Sequence, residues 1–132
     1  MLTRIHHIGV AVTDLDESID LYSGALGAEL VHRQVNDQEG LEAAFLRTGE
    51  GEVELMSATR PDSPVGKFLA KRGPGLHHVA YGVTDIRTAL AVAQAAGCEL
   101  IDPEPRMGMH GSLIAFVHPK SFGGVLTELV ET

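Results

Sequence analysis

One cysteine, Cys98, stands alone among 132 residues, so no internal disulfide framework staples this chain, and a reducing compartment suits it. Long apolar runs are also missing. None approaches the roughly 20 residues that a helix needs to cross a bilayer, and no basic segment followed by an apolar one opens the chain as a leader would. Both absences lead us to expect a cytoplasmic protein with no membrane partner. Basic residues are few: 10 Lys and Arg against 18 Asp and Glu, a net charge of -8. That balance argues against a nucleic-acid partner. It leaves an anionic small ligand open, because a few local cations can act against the mean field. No segment has low complexity, and the length suits one domain, 1–132, with a core of its own.

What the chain does contain is a repetition. "IHHIGVAVTDL" at 5–15 returns as "LHHVAYGVTDI" at 76–86. In the same order, "GAELV" (27–31) returns as "GCELI" (97–101), "AFL" (44–46) as "AFV" (115–117), and "VELM" (53–56) as "TELV" (127–130). Ordered matches at an offset of about 70 residues indicate two copies of one supersecondary unit, too few for a solenoid.

Each copy parses alike. β-Branched "RIHHIGVAV" predicts a strand. Asp14 is placed to cap a helix carrying Leu15, Ile19, Tyr22 and Leu26 at helical spacing, and Gly27 stops it. Strands follow at about 28–35, 42–48 and 52–58. The second copy predicts a strand over 75–83, a helix over 86–96 stopped by Gly97, and strands near 98–101, 112–117 and 125–130. Between the copies, Ser63–Pro64 and Gly73 bound a helix over about 64–72. The chain thus reads as α+β: a βαβββ module over about 3–58, a connecting helix, and a second module over about 75–131.

Strand alternation separates the paired histidines. His6 shares a face with Ile8, Val10 and Val12, a bulky set suited to packing under a helix. His7 shares the other with Gly9 and Ala11, which leaves room for a ligand or cavity. His77, Val79, Tyr81 and Val83 repeat the first face; His78, Ala80 and Gly82 repeat the second. Glu54 and Glu128 occupy equivalent places in the last strand of each copy. A carboxylate in an apolar strand is costly unless paired or metal-bound. His7, Glu54, His78 and Glu128 therefore form a candidate divalent-metal set, whose N/O donors suit Zn, Co, Ni, Fe or Mn. A single strand histidine is more often a core or edge residue than a ligand, and His6 and His77 read as structural. His32, His110 and His118 read as exposed or loop residues, with His110 in "MGMHGS" able to approach a site.

With His, Glu, His and Glu on the first and fourth strands of paired βαβββ units, the chain resembles the vicinal oxygen chelate superfamily. "PDSPVGKFLAKRGPGLHHVAYGV", "EPRMGMHG" and "HPKSFGGVLTELVE" further resemble the methylmalonyl-CoA epimerase family within it. The resemblance implies a U-shaped, partly closed, eight-stranded β-cradle of the glyoxalase/bleomycin-resistance type and a divalent ion, often cobalt, with zinc, nickel or manganese as alternatives. It implies metal roles for His7, His78 and Glu128, with Glu54 at a fourth position that is Gln or Glu in the family. It also implies an acyl-CoA substrate and a homodimer. A second base that some members carry aligns with Ala43; Glu42 is one residue away and in a strand points to the other face.

The implied chemistry is exchange of the C2 proton of a 2-methylmalonyl thioester, with Glu54 and Glu128 as an acid–base pair. Lys67, Lys71, Arg72 and Lys120 read equally as coenzyme A phosphate contacts or as a solvated surface cluster. A glyoxalase I-type isomerase and a non-enzymatic, drug-sequestering binding protein are the alternatives.

Overall fold

In a computed structural model that describes residues 1–132, three side chains cap three helices. Asp14 accepts the Glu17 N–H at 3.0 Å and opens α1 (Leu15–Leu26), which Gly27 closes at a φ of 71°. Ser63 accepts the Gly66 N–H at 3.0 Å and opens α2 (Pro64–Arg72). Asp85 accepts the Thr88 N–H at 3.1 Å and opens α3 (Ile86–Ala95). The strands are β1 (Leu2–Ala11), β2 (Glu29–Asn36), β3 (Leu41–Thr48), β4 (Gly51–Ala58), β5 (Gly75–Val83), β6 (Arg106–Met107), β7 (Leu113–Val117) and β8 (Thr127–Glu131).

The chain divides into two compact units: His7–His77, called here the α1 unit, and Met1–His6 with His78–Thr132, the α3 unit. In the α1 unit, β2, β3 and β4 pair antiparallel, and β1 joins β4 in parallel with Gly9 opposite Glu54. Ile8 and Val10 of β1, and Val12 just beyond it, pack with Leu15 and Ile19 of α1 and with Ala44, Leu46, Val53 and Leu55. Burying each larger aliphatic side chain here contributes about 1.5–3 kcal/mol. The bulky strand face thus lies under the helix, and His7 and Glu54 share the opposite face.

The α3 unit repeats the plan. Its β8 runs parallel to β5 and antiparallel to β7, with β6 beyond β7 and the start of β1 beside β5. Ile86, Ala89 and Leu90 of α3 pack on Val83, Ala115, Val117 and Leu129. The other face carries Ala80, Ile114, Val130 and Phe116.

The structure corrects two expectations. Residues 98–101 make no strand; they hold a single bridge, Leu100 to Val117. The N–H groups of Ile101 and Asp102 both donate to the Phe116 carbonyl, at 3.0 and 3.1 Å, so the ladder stops there. Pro103 and Pro105 cannot donate to a ladder, and pairing resumes only at Arg106. Gly82, in turn, leaves no space for a ligand. A Cβ at that position would run into the Thr3 hydroxyl, so its smallness serves packing between β5 and the first residues of β1.

Candidate metal centre

In the α1 unit, parallel pairing of β1 with β4 sets His7 and Glu54 on one face. His7 Nε2 lies 3.4 Å from Glu54 Oε1. In the α3 unit, β5 and β8 do the same for His78 and Glu128, with Nε2 and Oε1 3.2 Å apart. All four side chains are buried: His7 and His78 are each 2% exposed, Glu54 8% and Glu128 6%. Carboxylates this far from water must be offset by a proton donor or a cation. Neutral imidazole nitrogens and carboxylate oxygens are the donors that hold borderline divalent ions, so His7, Glu54 and His78 fit a metal chemically, while Glu128 is not among them.

A phenylalanine backs each carboxylate, which the sequence reading missed. Phe45 on β3 is the register partner of Glu54, and Phe116 on β7 that of Glu128. Directly opposed residues of antiparallel strands share a face. Phe45 is fully buried, with the His32 ring stacked on it at 6.0 Å between centroids. Phe116 meets the His78 ring edge-on at 5.6 Å, and the Arg106 guanidinium lies 5.7 Å from its centroid. The signal available in the sequence was the repeated "AFL" and "AFV".

Residues 6–116 match the family model of the Glyoxalase/Bleomycin resistance protein/Dioxygenase superfamily. The chain is 38% identical to the mitochondrial methylmalonyl-CoA epimerase of Dictyostelium discoideum, over 97% of this chain and 78% of that one. It is 35% identical to the ethylmalonyl-CoA/methylmalonyl-CoA epimerase of Cereibacter sphaeroides, over 98% of each. A methylmalonyl-CoA epimerase solved with methylmalonyl-CoA and ammonium superposes with a TM-score of 0.94 at 43% identity, covering 100% of this chain and 96% of that one. The chain belongs to the methylmalonyl-CoA epimerase family. Its fold is the α+β glyoxalase-type fold.

Against that epimerase frame, Ala43 is fully buried beside Met56 of β4 and Gln34 of β2, on the Glu54 face. Glu42 points to the α1 side. There it accepts the Arg33 Nε–H at 2.9 Å, and Arg33 also donates to Asp16 of α1 at 2.6 Å. The hydrogen bond to Glu42, then that to Asp16, raises the Arg33 pKa above the ordinary arginine value. Glu42 is thus a surface ion-pair partner on the face opposite Glu54. Glu42→Gln is expected to leave C2–H exchange within a few-fold of wild type, because a general acid–base residue contributes about 10²–10⁴-fold. A loss of that size in rate measurements, with folding intact, would make Glu42 a base.

The remaining epimerase-like positions divide by environment. Lys67, Lys71, Arg72 and Lys120 are exposed, and the Arg72 guanidinium lies 5.7 Å from the Phe68 centroid. His77 packs edge-on against Phe68 at 4.9 Å, which ties β5 to α2. His6 packs edge-on against His110 at 5.2 Å. His118 Nδ1 accepts the Lys120 N–H at 3.1 Å, and its Nε2 lies 3.6 Å from Glu99, fixing the turn that carries Lys120. His32 is exposed on β2, within the strand expected over 28–35.

Proposed function

We propose that this chain interconverts the (2R) and (2S) epimers of methylmalonyl-CoA. The observation that carries the reading is the pair of buried glutamate–histidine couples, one per unit, in a chain 43% identical over its whole length to an epimerase solved with that thioester. C2 of the substrate lies between a thioester carbonyl and a carboxylate. Inversion there needs one proton removed from one face and another delivered to the opposite face. Glu54 and Glu128 are assigned these roles, each taking or giving a proton at a carboxylate oxygen. Their equivalence in the repeat suits a reaction that must run equally well from either epimer.

His7, Glu54, His78 and Glu128 would hold a divalent ion, cobalt in the first instance, with zinc, nickel or manganese as alternatives. Such an ion, when bound, supplies Lewis-acid stabilisation for the charge that develops on the thioester oxygen. The dry surroundings of Glu54 and Glu128 strengthen the electrostatics between these carboxylates and what they face. Lys67, Lys71, Arg72 and Lys120 are assigned to the coenzyme A phosphates, supported by their exposure. A homodimer and a cytoplasmic setting complete the reading. Met1, Leu2 and Ile5 offer exposed apolar surface for a second copy, and no helix is long and apolar enough to cross a membrane.

The test is solvent exchange. Each separate epimer of methylmalonyl-CoA is incubated in D₂O with the metal-supplemented protein and followed by NMR. Both epimers are expected to lose the C2 proton and to converge on an equal mixture. Retention of the C2 proton in both would overturn the assignment.

A further inference from the structure

We propose that Arg106 binds the free carboxylate of the substrate, and so determines which end of the malonyl group lies toward β6. The proposal rests on the epimerase reading and extends it to orientation. Glu54 and Glu128 are equivalent in the repeat, yet the acyl group they act on is not symmetric: C2 has a carboxylate on one side and a thioester on the other. Something must break the equivalence.

The two units differ in what lies on the phenylalanine. Behind Glu54, the side chain lying on Phe45 is the His32 imidazole, stacked at an interplanar angle of 17° and in hydrogen-bonding contact with Gln34 at 3.0 Å. Behind Glu128, the side chain lying on Phe116 is the Arg106 guanidinium. Arginine is a permanent cation, whereas imidazole is not. The strand register puts Arg106 on the Glu128 face: Arg106 pairs with Ile114, and Ile114 and Phe116 pair with Val130 and Glu128. The same Phe116 ring meets the metal-candidate His78 edge-on, so one aromatic ring contacts both the guanidinium and the imidazole.

Arg106 is also braced. Asp102 Oδ1 lies 3.5 Å from Arg106 Nε, and Asp102 Oδ2 accepts the Phe116 N–H at 2.9 Å. One carboxylate therefore ties the guanidinium to the strand it lies over. A guanidinium has five N–H donors in a planar fork that matches a carboxylate through two parallel hydrogen bonds. With its side chain 44% exposed, Arg106 is within reach of an incoming ligand. A cation on a face that otherwise bears Glu128 favours the anionic malonyl head, with its one free carboxylate, over a neutral acyl chain.

The test compares binding of methylmalonyl-CoA and propionyl-CoA, which lacks the carboxylate, to wild type, Arg106→Met and Arg106→Lys, by titration calorimetry. Wild type is expected to prefer methylmalonyl-CoA. Arg106→Met should weaken methylmalonyl-CoA binding by about 10- to 100-fold, as loss of a charge-assisted hydrogen bond does, and leave propionyl-CoA nearly unchanged. Arg106→Lys keeps the charge but not the fork and should fall between them. Equal weakening of both thioesters would place Arg106 on a phosphate and overturn the proposal, as would no weakening of either. If wild type prefers methylmalonyl-CoA through Arg106 yet never exchanges its C2 proton, the epimerase reading fails and the carboxylate site stands. If wild type binds neither thioester, both fall.

Discussion

Glu54→Gln and Glu128→Gln are each expected to lose epimerisation by about 10²–10⁴-fold, and to lose it in opposite stereochemical senses. Glutamine keeps the shape and one oxygen donor at a position buried against its histidine, but it cannot take a proton. A variant with one carboxylate left can still remove the C2 proton from the epimer that presents it to that carboxylate. It cannot complete the inversion. Each variant should therefore exchange C2–H for deuterium from one epimer and leave the other intact, and the two variants should choose different epimers. The measurement is NMR of each separate epimer in D₂O, after metal content has been confirmed. Wild-type behaviour of Glu54→Gln with both epimers would leave Glu54 as a ligand only. The proton would then have to come from another group on that face, and Ala43 cannot supply one.

The members of the couples were legible because the signal for each is local and written twice. Alternation within "IHHIGV" separates His6 from His7, and "VELM" and "TELV" place the carboxylates on matching strands. The caps Asp14 and Ser63 were legible because they are local, each accepting an N–H three residues on. What escaped depended on how strands pair and pack, which alternation within one strand does not give. Phe45 and Phe116 were visible as repeat markers, but their place behind Glu54 and Glu128 follows from the register of β3 on β4 and β7 on β8. Arg106 follows β-breaking prolines in "DPEPR", where pattern reading sees only a loop. The strand expected at 98–101 is one bridge, because the Ile101 and Asp102 N–H groups share the Phe116 carbonyl. Gly82 looked like room for a ligand and is room for Thr3, a neighbour far away in sequence.

The histidine pairs give the second large effect. His7→Ala and His78→Ala are expected to lose bound metal and to drop C2–H exchange to background, whereas His6→Ala and His77→Ala keep both. Loss of activity alone would prove little. Removing His7 or His78 leaves a buried Glu54 or Glu128 without its imidazole, and breaking a buried pair of this kind costs about 3–5 kcal/mol when the partner stays charged. The neighbouring histidines also stabilise: His6 packs on His110 and His77 on Phe68, so their alanine variants should melt earlier too. The discriminating readout is the metal-dependent rise in melting temperature. A ligand that binds only the folded state at about 100 times its Kd adds about 2.7 kcal/mol. His6→Ala and His77→Ala should start lower yet rise with added divalent metal as wild type does. His7→Ala and His78→Ala should start lower and not rise. Full metal occupancy in the His7 and His78 variants, with an undiminished thermal response, would remove these side chains from the metal set and the proposed centre with them.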